Sequence, residues 1–285
     1  HYCPVDHSVE RLTTFSSATW DHLVKGFPPG TFFVGLSSIL WRESWKYGER
    51  AFRYCQHDTG HAIAALALSG RLLGWTVRCV SGPSTVDQMN LLGLVENRSF
   101  HPEEPEEAEA ILAVIPSQPG FDHPATLPTA AIRNVAKGTW EGKPNVLSPE
   151  HDPWPIIGEV AEATRITEDH LPLPEWEAYF IQNPAIISPL DHRTLNAASI
   201  LRQRRSAVSM DGKTGLGSAD FYRMLRRVLP ARSESGDLSP PLWETLPWEP
   251  CVHLALFVHR VEGLPPGLYL MPRTPKGEQG LRTLL

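Results

Sequence analysis

The chain has 285 residues, of which 41% are hydrophobic and 20% charged, a profile typical of a globular protein with a core. Its formal net charge of −6 disfavours a nucleic-acid partner, because proteins that bind nucleic acids usually carry a basic face. The longest strongly apolar stretch, 62–68, is far shorter than the roughly 20 residues that a membrane-spanning helix needs. We therefore expect a soluble protein with no membrane partner.

The four cysteines, Cys3, Cys55, Cys79 and Cys251, include no CxxC pair and no dense disulfide framework. We interpret them as reduced, mostly buried thiols of a cytoplasmic protein. No signal peptide is visible. The chain begins with His1 rather than Met, which favours a processed, trimmed or fragmentary polypeptide.

The first third of the chain predicts a strand and a long helix. Residues 31–40 are apolar and β-branched enough for a buried strand or the start of a helix. Residues 42–73 predict a helix whose second half is apolar nearly all round, which is typical of a helix buried on every side. Gly74 is a natural residue to end it in a left-handed turn. Small residues along the helix would let another backbone or a flat ligand approach closely: Gly60, Ala64, Ala67 and Gly70.

The middle of the chain is punctuated by proline and glycine. Residues 86–94 predict a short helix, and 110–115 a buried strand. Residues 116–155 are rich in Pro, Gly, Asn and Ser, which predicts a long excursion dominated by loops. A further helix is predicted at 160–165, before a proline-broken linker.

After a compositional change near Asp191, the chain predicts separate helices and strands. Residues 195–204 predict a helix, and Ser218 is a good N-cap for the next one. Apolar residues of that next helix recur at helical spacing and predict a core face: Phe221, Met224, Leu225, Val228 and Leu229. Residues 252–258 predict a buried strand, and 268–270 a returning strand. The mixture predicts an α+β or three-layer α/β fold.

Two clusters have side chains that suit chemistry. In Arg204-Arg205-Ser206, guanidinium groups and a hydroxyl suit a phosphate, although a solvated basic helix end fits the same pattern. His57 and His61 stand at i and i+4 with Asp58 between them, a spacing used by metal-binding helices. No third ligand follows at a recognisable distance, so these residues also fit a structural role in satisfying buried polar groups.

Together these segments resemble the nitroreductase-like flavoprotein superfamily. The similarity is to its SagB-type dehydrogenase branch, and especially to long members with two nitroreductase-like units in one chain. The resemblance is carried by residues 38–61, the Ala-rich helix to Leu73-Gly74-Trp75, Trp140, Gly142, Asn145, Leu147, Ser148, Arg204-Arg205-Ser206-Ala207-Val208, Phe257-Val258-His259-Arg260-Val261 and Pro266-Gly267-Leu268-Tyr269.

The resemblance implies a three-layer α/β sandwich of α+β class, with a mixed, largely antiparallel sheet flanked by helices and FMN held where two units meet. Arg204, Arg205 and Ser206 match the family's phosphate- and ribityl-binding motif, with Val208 where a further Arg is common. Gly74, Trp75 and Thr76 match the turn whose backbone lies beside the flavin ring. Asn145 and Ser148 lie where the family often places late phosphate contacts.

The resemblance further implies hydride transfer through flavin N5, which needs no protein nucleophile. The substrate would be a small molecule or a peptide, since the branch includes enzymes that oxidise azoline rings in modified peptides. NAD(P)H is a candidate electron donor. The helix that ends at Gly74 matches the long helix at which nitroreductase-like units pair, within one chain or as a homodimer.

The order of the matched motifs predicts two partial units. Residues 1–190 match the later part of a first nitroreductase-like unit, and 191–285 the earlier part of a second one. The segment Tyr2-Cys3-Pro4 near the start also echoes Tyr269-Leu270-Met271-Pro272 near the end, as expected of a tandem repeat. This reading predicts a longer parent protein.

Two alternatives to a flavoenzyme remain open. A unit of the same fold that has lost flavin would serve as a scaffold or interaction unit, which Val208 in the Arg-Arg-Ser motif favours. A metal-dependent hydrolase would instead use His57 and His61 as ligands.

Overall fold

The computed structural model of this chain describes residues 1–95, 102–116, 126–167, 179–180, 196–233, 236–237 and 241–284. They form two compact units: His1–Leu173 with Glu244–Pro247, and Pro174–Trp243 with Trp248–Leu285. The boundary predicted at 190 and 191 lies outside the described residues, so the assignment of two partial nitroreductase-like units stays a prediction.

The first unit combines seven strands with six α-helices among the described residues. The strands are β1 Tyr2–Cys3, β2 Ser8–Val9, β3 Thr13–Thr14, β4 Phe32–Ser38, β5 Thr76–Cys79, β6 Glu107–Ile115 and β7 Thr139–Trp140. The helices are α1 Ser17–Leu23, α2 Ser44–Tyr47, α3 Ala51–Leu72, α4 Thr85–Leu92, α5 Thr129–Ala136 and α6 Pro155–Ala163. Short 3-10 turns at Leu40–Glu43 and Gly48–Arg50 flank α2.

The centre of the first unit is a three-stranded antiparallel sheet in the order β4-β6-β5. The last six residues of β6 are all buried, as expected of a continuous apolar run in a strand covered on both faces. Ile111 packs with residues of α1 and α5. On the opposite face Val77, which pairs with Val114, meets α3 at Gly70. Helices therefore cover both faces, and the predicted α+β class with a largely antiparallel sheet is confirmed.

The helix predicted over 42–73 is divided, because Gly48 adopts a left-handed φ of 57° and the chain turns there before α3 begins. The prediction that this helix is buried on every side is wrong. Ile63, Ala67 and Gly70 are buried, at positions that form one face, whereas Leu68, Leu72 and Leu73 are 54%, 60% and 62% exposed. Only one face of α3 is covered by the described residues.

Loops dominate the described residues of 116–155, as predicted, but the segment also contains a helix that the sequence did not indicate. Residues 129–136 form α5, whose Ala131, Ile132 and Val135 are buried in the main core. The prolines and glycines on both sides of this short amphipathic helix led to the prediction of loops. The strand predicted at 110–115 begins earlier, at Glu107.

The second unit consists of small elements. Its strands are β8 Tyr179–Phe180, β9 Ala231–Ser233, β10 Gly236–Asp237, β11 Leu254–Val258 and β12 Gly267–Met271. Its helices are α7 Ala197–Gln203, α8 Ser218–Arg226, the beginning of α9 Pro241–Thr245, and α10 Pro275–Leu284. Strands β11 and β12 form the predicted antiparallel hairpin. The prediction of a buried strand over 252–258 is wrong, because β11 begins at Leu254 and only its last residue, Val258, is buried.

Two details of the second unit differ from expectation. Ser218 is the first residue of α8 rather than its N-cap, which is Gly217, since the chain becomes helical one residue earlier than the cap signal implies. The predicted core face is incomplete, because Met224 and Val228 are 56% and 37% exposed. The echoed segments also continue differently, since β1 turns into a hairpin with β2 whereas β12 leads to α10.

No helix in the described part of the chain is long and apolar enough to cross a membrane. All four cysteines are free thiols, as interpreted from their spacing. Cys55 and Cys79 are buried, Cys3 is half-buried and Cys251 is exposed. Burial raises the pKa of Cys55 to about 11 and that of Cys79 to about 12, so these two thiols stay protonated and unreactive near neutral pH.

Candidate functional site

The arginine cluster of the second unit follows the end of α7. This helix begins at an Asn196 cap, whose side chain accepts from the amide of Ser199, and the chain leaves helical geometry at Arg204. The Arg205 Nη1 donates to the carbonyls of Arg202 and Arg204, each at 2.8 Å. The three residues 204–206 are exposed.

The cluster keeps most of its donors available. Within the described part of the chain, no carboxylate forms an ion pair with Arg202, Arg204 or Arg205. The Arg204 guanidinium and the Ser206 hydroxyl likewise have no hydrogen-bond partner there. Guanidinium forks and a nearby hydroxyl are the groups that bind phosphate oxygens, so an anion is the chemistry that this arrangement suits.

The second predicted element, Gly74-Trp75-Thr76, is the turn that joins α3 to β5. Gly74 has a φ of 72°, which confirms the left-handed turn predicted from the sequence. The amide of Trp75 donates to the carbonyl of Gly70 at 2.8 Å. The rings of Trp75 and Phe32 pack edge to face, with their centroids 6.1 Å apart. Thr76 is buried and pairs with Ile115.

The third predicted element is the loop that contains Asn145 and Ser148. It binds an anion, but that anion is the side chain of Glu104 in the same chain. The amides of Leu147 and Ser148 donate to the carboxylate of Glu104 at distances of 2.9 and 3.3 Å to Oε1. Asn145 accepts from the Arg42 Nη2 through its backbone carbonyl, at 2.8 Å, and through its side-chain oxygen, at 3.1 Å. Asn145 and Ser148 are thus committed to contacts within the first unit.

Glu104 is the centre of this polar cluster. Its side chain is 1% exposed. The Arg42 Nε and Nη2 each lie 2.8 Å from Oε2, and the His151 Nε2 lies 2.9 Å from Oε1. Burial alone would raise the pKa of Glu104, but the hydrogen bonds from His151, Arg42, Ser148 and Leu147 outweigh it and lower the pKa to about 2. The carboxylate is therefore ionised at neutral pH.

The predicted cofactor residues are not brought together within the first unit. Thr76 pairs with Ile115 at one end of β6, whereas Glu104, which holds Ser148, precedes Glu107 at the other end. The two ends of this nine-residue strand are about 26 Å apart, at roughly 3.3 Å per residue. Arg204, Arg205 and Ser206 belong to the second unit.

The His57 and His61 pair lies on the exposed face of α3. The His61 Nδ1 is 3.6 Å from the Asp58 Oδ1, and these two side chains are 83% and 78% exposed. His57 contacts the edge of Tyr54. Among the described residues, no group of three or more His, Cys, Asp or Glu side chains is placed to hold a metal ion.

The Glu104 cluster was missed by reasoning from the sequence. Its parts come from residues 42, 104 and 145–151, and no spacing rule connects them. The acidic stretch around Glu104 has the composition of a solvated loop, and Arg42 stands in a run of aromatic and charged residues. His151, followed by Asp152 and Pro153, was the one weak signal, because a histidine in a polar loop is an ordinary partner for a buried carboxylate.

Comparison with protein-family models gives no match, and no curated protein matches the chain. The chain is similar to a solved structure, the crystal structure at 1.80 Å resolution of a putative nitroreductase from Anabaena variabilis. The two are 16% identical, with a TM-score of 0.47, over 88% of this chain and 50% of that one. The chain thus spans about half the length of that nitroreductase.

Proposed function

We propose that this chain is part of an FMN-dependent oxidoreductase of nitroreductase type, related to the SagB-type dehydrogenases, in which bound FMN supplies hydride transfer at N5. The observation that carries the proposal is the exposed Arg204-Arg205-Ser206 cluster. In a chain of net charge −6, three neighbouring guanidinium groups at residues 202, 204 and 205 have no described carboxylate partner. Such a cluster fits a phosphate group.

The Arg204 and Arg205 side chains would hold the flavin phosphate, and the Ser206 hydroxyl would add a hydrogen bond to it. Arg205 retains Nε and Nη2 for this purpose while its Nη1 is anchored to two carbonyls. That anchoring restricts the Arg205 guanidinium group, so less side-chain conformational entropy is lost when the group binds a phosphate. Val208, where the family often has another Arg, is exposed and adds no charge.

The turn Gly74-Trp75-Thr76 fits the role of a surface beside a flat ring. A side chain at Gly74 would meet nothing within 4 Å, so the backbone is open to a planar group. Trp75 and Phe32 provide apolar area next to it. We propose that this turn lies beside the ring and helps to exclude water from it.

Asn145 and Ser148 do not fit the phosphate role. The amide of Ser148 already binds the ionised Glu104 carboxylate, and a phosphate placed there would meet a like charge at close range. We therefore leave these two residues out of the proposed flavin site.

The remaining parts of the proposal follow the same family reading. We propose a small-molecule or peptide substrate, NAD(P)H as electron donor, and pairing of nitroreductase-like units within a chain or as a homodimer. The exposed apolar side of α3, at Leu68, Leu72 and Leu73, supports pairing, because contiguous exposed apolar area often marks an interface.

Titration with FMN and with riboflavin tests the phosphate assignment. Arg204→Ala and Arg205→Ala should each weaken FMN binding by about 1.5–3 kcal/mol, which is roughly 10- to 150-fold in Kd. Riboflavin, which lacks the phosphate, should bind both variants as it binds the unchanged chain. Flavin fluorescence quenching measures both constants.

Arg227→Ala is the matched control, since Arg227 is another exposed arginine of the second unit. It should leave the ratio of FMN to riboflavin affinity unchanged. An equal loss in all three variants would point to a general charge effect and remove the phosphate from this cluster.

A flavin-free scaffold is the second candidate. It is favoured by the Glu104 carboxylate, which fills the anion position at Ser148, and by Val208 in the arginine motif. Purified protein with the visible spectrum of oxidised flavin would exclude this candidate. A colourless protein that takes up neither FMN nor riboflavin would favour it.

A further inference from the structure

The groups that surround Glu104 have the composition of an oxyanion-binding site. Two guanidinium nitrogens of Arg42, the successive amides of Leu147 and Ser148, and the His151 Nε2 converge on one carboxylate. The Leu147 amide also lies 3.2 Å from Oε2, so both carboxylate oxygens are bound. Successive backbone amides together with a guanidinium group are a recurrent way to hold an anion.

These donors are positioned by contacts that do not involve Glu104. The Arg42 Nη2 is held by the backbone and side-chain oxygens of Asn145. The His151 ring packs on the Trp41 indole, with centroids 4.3 Å apart, and the indole Nε1 donates to the carbonyl of Asp152 at 2.8 Å.

The loop that carries the two amides is also closed by its own hydrogen bonds. The Ser148 hydroxyl donates to the carbonyl of Glu150 at 2.7 Å, and the Glu150 amide donates back to that hydroxyl at 3.3 Å. The His151 side chain is 5% exposed. The site is therefore built from the 145–151 loop and Arg42, and Glu104 enters it from a different segment.

We propose that Arg42, Leu147, Ser148 and His151 form a binding site for a small carboxylate, and that the Glu104 side chain is its resident ligand. A ligand carried by the same chain has an effective concentration in the millimolar range or above. The intact protein is therefore closed to external oxyanions at this site, and it opens when the Glu104 carboxylate is removed. The inference is independent of flavin binding.

Glu104→Ala provides the test, because it removes the Cγ methylene and the carboxylate, which together match one acetate ion. Thermal unfolding of the full chain is followed from zero to 200 mM acetate, with chloride replaced so that ionic strength stays constant. Acetate should raise the Tm of the variant by about 2–4 °C, since a ligand that binds only the folded state stabilises it. The unchanged chain should show no such shift.

Two controls separate a specific site from a general effect. Glu106→Ala removes a neighbouring carboxylate that accepts from the Ser37 hydroxyl, and its Tm should not respond to acetate. Acetamide, which is neutral and similar in shape, should not stabilise Glu104→Ala. Phosphate in place of acetate tells whether the site accepts a tetrahedral oxyanion, and a larger shift with phosphate than with acetate would overturn the carboxylate assignment.

The test remains decisive when Glu104→Ala is unfolded in chloride. In that case acetate should restore the native circular dichroism spectrum in a concentration-dependent manner. Equal Tm shifts in Glu104→Ala and Glu106→Ala, or failure of acetate to stabilise or refold Glu104→Ala, would show that the cluster is a structural ion pair rather than a ligand site.

Discussion

At the Glu104 carboxylate, burial and hydrogen bonding act in opposite directions. Burial favours the neutral form, but donors from His151, Arg42, Ser148 and Leu147 favour the ionised form and lower the pKa from its ordinary value of 4.5 to about 2. Because the pKa is lower in the folded than in the unfolded chain, ionisation of Glu104 stabilises the folded state above about pH 4.5. This contribution is lost as the pH falls from about 4.5 to about 2.

Glu104→Gln should lower the free energy of unfolding by about 3 kcal/mol at pH 7, because it leaves the Arg42 charge without its buried partner. Arg42 is 23% exposed, which places the loss at the lower end of the range for such pairs. The difference between the variant and the unchanged chain should shrink as the pH falls from about 4.5 to about 2. Urea unfolding at several pH values measures it.

Glu106→Gln is the control for this prediction, since its carboxylate is more accessible and bonds a single hydroxyl. Glu106→Gln should lower the free energy of unfolding by less than about 1 kcal/mol. A difference between Glu104→Gln and the unchanged chain that stays constant from pH 7 to pH 2 would show that ionisation of Glu104 does not stabilise the fold.

Single residues were predictable from the sequence where the chemistry is local. Gly74 was identified as the end of a helix because a left-handed residue after an apolar helix is a local event, and its φ of 72° agrees. Ser218 was misplaced by one position, which is the ordinary uncertainty of a helix boundary. The Glu104 cluster was out of reach, because it depends on contacts between residues about 40 to 100 positions apart.

At the scale of elements, the sheet and its principal helices followed from hydrophobic patterns, and α5 did not. Strand β6 has a continuous apolar run of the length typical of a buried strand, whereas α5 has eight residues between Pro-rich segments. The exposure of α3 was not predictable either. An apolar pattern on all sides of a helix predicts that every side is buried, but it does not show which segment covers each side.

The contact of α3 with β5 depends on a glycine. A Cβ at Gly70 would lie 2.6 Å from the Val77 Cγ2, so Gly70→Ala should lower the free energy of unfolding by about 1–3 kcal/mol through overpacking. Gly60→Ala, on the same helix, is the matched control, because nothing lies within 4 Å of its Cβ position. It should stabilise the protein by about 0.5–1 kcal/mol, since alanine is the better helix former.

Chemical denaturation of the two glycine variants compares them directly. Opposite signs for the two substitutions are expected from the packing of α3. Stabilisation by both would mean that α3 and β5 are separated enough to accept a methyl group, contrary to the packing at Val77.

At the scale of the whole molecule, the two units differ in how much they bury. The first unit contains the three-layer core, whereas the described helices of the second unit, α7, α8 and α10, have no buried residue. A two-stranded hairpin such as β11 and β12 is marginally stable alone in water. Elements of this size gain stability from a larger assembly, which is consistent with the proposed pairing of nitroreductase-like units.

If homodimeric pairing uses the exposed side of α3, it should depend on Leu68 and Leu72, which are 54% and 60% exposed. Replacing both by Ser removes apolar area that an interface would bury, at roughly 25 cal/mol per Å². The double variant should therefore elute as a monomer at concentrations where the unchanged chain is dimeric. Light scattering coupled to size exclusion, over a range of concentrations, measures this shift.

Val86→Ser is the matched control for the pairing prediction, because Val86 is also 56% exposed but lies on α4. It should leave the mass of the particle unchanged at every concentration. Retention of the dimer by the Leu68 and Leu72 double variant would assign pairing to another surface. A monomeric unchanged chain at every concentration would contradict homodimeric pairing through α3.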